Sequence, residues 1–526
     1  MTMNFDVVIM GGAFSGASLA LLLRREQPDL RVLLIERSVK FDRKVGEATT
    51  EVSTEFLTRR LGLTSYLAHD HLAKQGLRMW FTGDDKTPFE DCVEVGAKYQ
   101  VRLPSYQIDR AKMDVYLLDL ARQEGAEVWR PAKVRSVEGL ECESDEASAA
   151  GWKPAIVTVE RDDEVFEISA RWVIDASGRA AVLARKFETF HRLEAHPTNA
   201  MWARFRGVAD WDGHVMRKKF PEYANTAYAS RAAATNHLTG YGWWCWIIPL
   251  QGGDYSAGLV YDSRIFTPPA GDSIAERLHE HLLSNPVGRE IFRDATPVEN
   301  DQKAFSNLPY YSDRLAGPGW QLVGDAAGFM DPLYSPGLDY CSWTVRCALG
   351  RIAAESRGES ADLDKLNSRF TRSFNSWFRG LYLDKYYYLG DAELMSAAYW
   401  MDISLFFLGP VRESTDRSGP DLECMPFDGP IGMRLGQFMA FYNRRLSAIA
   451  RKRMEHGCYG RKNVGWREMG DGFVPDARSI RPLVRGISRW LAAEWHAYWL
   501  PKKNAQAVAE QRSPAPAMAP GVTAAR

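Results

Sequence analysis

A chain of 526 residues is too long for one small core and calls for two or three packed units. Hydrophobic residues make up 45% and charged residues 25%, which excludes a disordered or fibrous protein. A net charge of −1 leaves no global attraction to nucleic acid or anionic membranes.

The chain opens on Asp6 to Met10, a short apolar run ending in Gly11-Gly12-Ala13-Phe14-Ser15-Gly16. Ala17 to Leu23 follows at helical spacing, and Arg31 to Glu36 is apolar again. Strand, glycine turn, helix and strand in roughly thirty residues make the layout of a dinucleotide-binding βαβ unit. Gly11 lets the chain leave the strand in a tight turn. A helix starting near Phe14 offers unpaired N–H groups to a diphosphate. Gly16 allows close helix–strand packing, and Glu36 stands where a carboxylate accepts hydrogen bonds from ribose hydroxyls. Ala13 occupies the pattern's second glycine position, so a methyl narrows the approach to the pyrophosphate.

Lys44 to Thr50 reads as a polar loop entering a helix near Ser53 to Leu61, and Lys74 to Phe81 as a turn feeding a strand. Asp109-Arg110 opens an amphipathic helix with Met113, Tyr116, Leu117, Leu120 and Ala121 on its apolar face, closed by Gly125. Val128 to Glu138 and Ala155 to Ala170 read as strands, the latter running on to a second glycine turn, Asp175-Ala176-Ser177-Gly178-Arg179. Alternating segments between 197 and 305, such as Trp202 to Phe205 and Tyr255 to Val260, indicate an antiparallel sheet, with a helix from Ser273 to Leu283. The strand Gly319 to Val323 ends in Gly324-Asp325, and a helix follows over 340–358. From 360 to 500 the chain is helical and aromatic, with Trp490, Trp495 and Trp499 on a last helix over 484–500. The tail after Pro501 is rich in Ala and Pro and is expected to be disordered.

The expected fold is α/β, α+β overall. A Rossmann-like nucleotide-binding domain (1–196 and 306–358) carries an inserted antiparallel-sheet substrate domain (197–305). A helical aromatic region (359–500) and a tail (501–526) complete it. Seven scattered cysteines without a C-x-x-C argue for a reducing compartment and against a zinc site. No signal peptide is visible at the N-terminus, and the most apolar run, Met395 to Pro410, is interrupted by Asp402 and Ser404. The expected location is therefore the cytoplasm. His279 and His281, two apart on a helix, do not share a face, so no metal site is expected. No G-x-S-x-G elbow occurs, and Ser15 belongs to the phosphate turn.

Asp325, at a strand end, is placed to bond a ribityl hydroxyl, or else simply to cap a helix. Two glycine turns plus Gly324-Asp325 point to FAD rather than NAD. Together, Gly11 to Gly16, Glu36, Asp109-Arg110, Asp175-x-x-Gly178 and Gly324-Asp325 resemble the FAD-dependent monooxygenases of the para-hydroxybenzoate hydroxylase type. Two further segments resemble the flavin-dependent halogenases within that superfamily. Trp244-Cys245-Trp246-Ile247-Ile248-Pro249 is similar to their W-x-W-x-I-P. Phe329-Met330-Asp331-Pro332-Leu333-Tyr334-Ser335-Pro336-Gly337 is similar to their F-x-x-P-x-x-S-x-G. The resemblance spans about residues 1–350.

The resemblance implies that reduced FAD, O2 and halide give hypohalous acid, which a lysine presents to the substrate. Lys74, in Lys74-Gln75-Gly76, matches the setting of that lysine. FAD would be held by Gly11, Gly12, Ala13, Ser15, Gly16, Glu36, Arg37, Arg110, Gly324 and Asp325. Pro332, Ser335 and Gly337 would form the halide and active-site loop, and Trp244 and Trp246 would separate flavin from substrate. At Pro336 the family's Ser/Thr gives way to a residue with no N–H, leaving Gly337 to donate. Tyr334 replaces the glutamate of tryptophan-type members, which points to phenols, pyrroles or carrier-protein-bound aromatics. A separate flavin reductase is implied.

Other readings of the same residues stay open. Lys74 could be an ordinary surface lysine, and Trp-x-Trp one buried face of a sheet. The aromatic C-terminal region could be core, a lid, or a surface for a carrier partner. Arg485, Arg489, Lys502 and Lys503 beside the last tryptophans would suit an acidic partner or a membrane surface, although no membrane contact is expected. As rival activities stand a hydroxylase or epoxidase without halide, a geranylgeranyl-reductase-like enzyme, and a non-catalytic FAD-binding protein.

Overall fold

The structure is a computed structural model describing residues 3–142, 153–415 and 425–500. Cys424, Lys502, Lys503 and the expected disordered tail lie outside the described residues. Two eight-stranded sheets and a set of long helices build the fold.

In the first sheet the strands Glu164–Asp175, Met3–Met10, Val32–Ile35 and Glu127–Trp129 lie side by side and parallel, and Trp320–Leu322 joins the open side of Glu164–Asp175. Alternation along Met3–Met10 divides the core. Val7 and Ile9 face the helix Phe14–Glu26, while Val8 and Met10 face the rest of the molecule, all at most 3% exposed. The sheet is thus covered on both sides, as parallel sheets require. Asp109 caps the helix Arg110–Gln123 by accepting from Ala111 N. On that helix Tyr116 is exposed and stacks on Tyr66 at 3.7 Å, and Leu118 and Asp114 take the buried positions instead. The helix expected from Ser53 begins at Glu51, because Thr50 caps it by accepting from Val52 N and Ser53 N.

The second sheet runs Thr296–Phe305, Thr198–Arg206, Tyr255–Asp262, Trp243–Pro249, Thr235–Gly240, Leu77–Phe81, Val93–Ala97 and Arg467–Gly470. It therefore draws three strands from outside 197–305. Leu77–Phe81 pairs parallel with Thr235–Gly240 and covers an edge that would otherwise expose unpaired N–H and C=O groups. Met79 and Phe81 point into one apolar cluster and Trp80 into another, all fully buried, and buried Arg78 pairs with Glu94 of the next strand at 2.6 Å. The helices Ile274–Ser284 and Pro286–Phe292 cover the outer face. The inner face, carrying Trp202, Trp244 and Trp246, meets the first sheet and the C-terminal helices.

Of those helices, Ala392–Phe406 is buried nearly all round, and 83% of the most apolar window of Ala392–Thr415 lies inside the protein. By length and composition alone this helix could cross a membrane; here it is a core helix. Ile480–Trp499 crosses it closely at Gly486, where a Cβ would come within 2.7 Å of Met401 Cγ and 2.9 Å of Ala397 O. Among the described residues no cluster of three metal-ligating side chains occurs. His279 bonds Phe292 O, and His281 packs between Trp243 and Phe266.

Candidate active site

The glycine turn is built around close backbone contacts. At φ +112°, Gly11 takes a left-handed conformation, and a Cβ there would collide with Ala176 O. A Cβ on Gly16 would collide with Gly11 O. Gly12 N donates to Glu36 Oε2 at 2.8 Å and Ser38 N to Glu36 Oε1 at 2.7 Å, so the carboxylate is pinned at the strand end. Ala13 is the N-cap of the helix Phe14–Glu26, which has no side-chain cap and no acid in its first turn. Its N–H groups are left to an anion. Arg37 is exposed beside Glu36. Ser15 Oγ fills the space that a Cβ on Gly324 would need, so the two turns interlock.

Asp325 follows immediately. Half-buried, its carboxylate accepts no hydrogen bond from any described residue, and burial raises its pKa against the pull of Arg110. Arg110 holds Asp114 through Nε at 3.0 Å and Nη2 at 3.2 Å, lies over the Phe14 ring, and touches the Lys44–Thr50 loop at Val45 O. An anion-ready helix start, an unpartnered carboxylate and an arginine at one place fit the diphosphate and polyol of FAD. Asp175 serves the frame instead: its oxygens accept from Ser177 N and Leu183 N at 2.9 and 2.7 Å.

Lys74 is not a surface lysine. It is 4% exposed, its N–H donates to Ser105 O, and its Nζ donates to Thr49 O at 2.8 Å. Burial pulls its pKa down to about 8, opposed by the nearby carboxylates of Glu51 and Asp339. Asp339 lies in the first turn of the helix Gly337–Ser356. Its Oδ1 accepts from Thr50 Oγ1 at 2.6 Å and Ser53 N at 3.1 Å, Oδ2 has no partner, and burial lifts its pKa to about 7. Lys74 and Glu51 open on a cavity of about 890 Å³, walled by Trp377, Tyr399, Trp400, Phe406 and Phe407. Part of the C-terminal aromatic stripe is therefore this wall, part is core such as Tyr382 and Tyr388, and part is exposed on the last helix.

The loop from Asp331 carries two successive left-handed residues, Tyr334 at φ 67° and Ser335 at φ 61°, a strained arrangement outside glycine. The Tyr334 hydroxyl donates to Asp402 Oδ2 at 3.1 Å, where Lys385 Nζ also donates at 2.7 Å; Tyr442 OH donates to Oδ1 at 2.6 Å. Ser335 N closes the turn on Pro332 O. Pro336 is the N-cap of the helix Gly337–Ser356, and a second cavity of about 210 Å³ lies against Pro336 and Gly337.

Trp244 and Trp246 do not line the large cavity. They share the sheet's inner face, with Trp246 Nε1 donating to Ser256 Oγ at 3.2 Å. Trp244 Nε1 donates to Tyr386 OH at 2.9 Å, and Tyr386 OH donates to Asp331 Oδ2 at 2.8 Å, which His196 Nε2 also reaches at 3.0 Å. Trp244 is thereby linked to the loop that holds Tyr334.

Sequence reasoning missed Glu51, Asp339 and the Lys385–Asp402 pair. Asp402 had a signal: a carboxylate inside an otherwise apolar helix requires a partner once the helix is buried. The Thr-x-x-Ser cap at Thr50 was a weaker signal for Glu51 as a first-turn residue. Arg485 and Arg489, noted as candidates for an external partner, are tied to Glu468 at 2.7 and 3.0 Å, whereas Trp495, Tyr498 and Trp499 are more than 60% exposed.

The family model for tryptophan halogenase matches residues 90–403. A flavin-dependent halogenase, chlA, from Dictyostelium discoideum is 26% identical over 444 residues, which cover 77% of this chain and 70% of that one. A tryptophan 2-halogenase from Chondromyces crocatus is 26% identical over 374 residues, covering 71% and 65%. The chain thus spans about two thirds of the length of these curated relatives. Among solved structures, halogenase PltM in complex with phloroglucinol and FAD shares the fold at a TM-score of 0.69. Its identity is 17%, covering 93% of this chain and 96% of that one.

Proposed function

This chain belongs to the tryptophan halogenase family of flavin-dependent enzymes, and from that premise we propose that it halogenates an electron-rich aromatic or pyrrolic substrate, free or carrier-bound. Its cofactor is FAD, whose reduced form supplies the activation of O2 from which, with halide, hypohalous acid arises. The observation that carries the reading is Lys74: an ammonium held on Thr49 O at the wall of an aromatic cavity, in a chain that also carries the nucleotide cradle.

The chain's residues divide the work. Gly11, Gly12, Ala13, Ser15 and Gly16 receive the diphosphate, with Glu36, Arg37, Arg110, Gly324 and Asp325 around the rest of the cofactor. Gly337 N–H, with Pro332 and Ser335 shaping the loop, faces the halide. Lys74 donates hydrogen bonds to the oxidant while its ammonium is intact. Trp244, through Tyr386 and Asp331, holds the loop and keeps substrate and flavin apart, with Trp246 beside it. The aromatic wall takes the substrate ring by stacking and edge contacts. Reduced flavin comes from a separate reductase.

The test is mass spectrometry of products from reduced FAD, O2 and bromide on phenolic and pyrrolyl probes. Halogenated product from the wild type and its loss in Lys74→Ala are expected. Undiminished product in Lys74→Ala removes Lys74 from the mechanism. Pro336 supports one rival, a hydroxylase that uses no halide, because the N-cap residue has no N–H to offer an anion. Oxygenated product formed equally well without halide would establish that rival.

A further inference from the structure

Electrophilic substitution on a phenol is accelerated when a base accepts the hydroxyl proton while a donor activates the oxidant. Two carboxylates line the large cavity, those of Glu51 and Asp402. Asp402 is already committed, accepting from Lys385 Nζ, Tyr334 OH and Tyr442 OH. Tyr334 itself offers no base, since its hydroxyl is turned onto Asp402. Glu51, in the first turn after the Thr50 cap, is met only by its own backbone N–H among the described residues. It lies close enough to Lys74 for their charges to be felt, yet the two close no ion pair. An ammonium and a carboxylate therefore face one apolar cavity with a gap between them.

Resting on the halogenase reading, we propose that Glu51 is a catalytic residue that accepts the hydroxyl proton of a phenolic substrate lodged between it and Lys74. As the ring carbon bonds halogen, the O–X bond of hypohalous acid breaks, and its hydroxide leaves as water with a proton from Lys74. The phenol O–H proton passes to Glu51 and its electron pair forms the C=O of a dienone. Loss of the ring proton from the halogenated carbon restores the Lys74 ammonium, and Glu51 returns its proton to the oxygen. The sum is phenol plus hypohalous acid giving halophenol plus water. Burial raises the Glu51 pKa, which makes the carboxylate a stronger base than an exposed one.

The experiment compares wild type, Glu51→Gln and Glu51→Asp, all carrying FAD at equal occupancy, on resorcinol and 1,3-dimethoxybenzene. Calorimetric binding and mass-spectrometric product formation are both read. Wild type should bind resorcinol in preference to the ether, and Glu51→Gln should lose about tenfold of that preference. Product from resorcinol should fall about a hundredfold in Glu51→Gln, the usual scale for a lost general base. Partial recovery in Glu51→Asp separates a missing carboxylate from a damaged cavity. Wild-type product and unchanged preference in Glu51→Gln would overturn the assignment and leave the halogenase reading intact. A Glu51-dependent preference with no halogenated product from any variant would leave Glu51 a phenol-binding carboxylate and overturn its catalytic role together with that reading.

Discussion

Lys385→Met exposes what the ion pair beneath the cavity contributes. Lys385 and Asp402 are at most 1% exposed, and the ammonium supplies one of three hydrogen bonds to the carboxylate. Burial already lowers the Lys385 pKa, with Asp402 opposing. Methionine keeps the volume but strands a buried carboxylate on two tyrosine hydroxyls, at a cost of about 3–5 kcal/mol. An unfolding entropy of about 2.1 cal/mol/K per residue makes about 1 kcal/mol/K for a chain of this length, so a cooperative transition should fall by about 3–5 °C. Scanning calorimetry reads that shift. In Lys385→Met/Asp402→Leu both charges are gone, and most of the lost stability should return, because the desolvation cost disappears with the pair. Product formation should stay low in the double variant, since Tyr334 has lost its anchor while keeping a strained φ of 67°. A single variant melting within 1 °C of wild type, or a double variant less stable than the single one, would refute this reasoning.

Three further outcomes follow from the site. Gly16→Ala places a methyl against Gly11 O, so the flavin-to-protein absorbance ratio of the purified variant should drop sharply; a fully yellow variant would mean that this turn does not shape the cofactor site. Lys74, with its pKa lowered to about 8 in the fold, binds fewer protons there than in the unfolded chain between about pH 8 and the ordinary lysine value near 10.4. Stability should therefore rise with pH across that window, by up to about 1.4 kcal/mol per unit, and Lys74→Met should abolish the rise in denaturant titrations. Over the same range halogenation should decline as the ammonium gives up its proton.

Features governed by near neighbours in the chain are legible in the sequence itself. The βαβ unit, the helix opened by Asp109-Arg110 and the helix beginning at Ser273 each depend on residues within a turn or two, and each forms where the pattern places it. Lys74 stands out only because its surroundings resemble a family motif; nothing in its spacing distinguishes it from an exposed lysine. The aromatic region could be read from sequence as core, a lid or a partner surface; packing makes Tyr382 and Tyr388 core, sets Trp377 and Phe406 against the cavity, and leaves Trp495 and Trp499 exposed.

Local sequence, then, determined the first glycine turn, the strands and helix that flank it and the start of Arg110–Gln123, since their hydrogen bonds and apolar periodicity are short-range. The tertiary structure alone decided that Leu77–Phe81 and Arg467–Gly470 complete the second sheet. It also decided that Glu51, Lys74 and Asp402 face one cavity and that Lys385 neutralises Asp402. Those pairings rest on burial and charge compensation between segments far apart in the chain, and such energies arise only once the elements have packed.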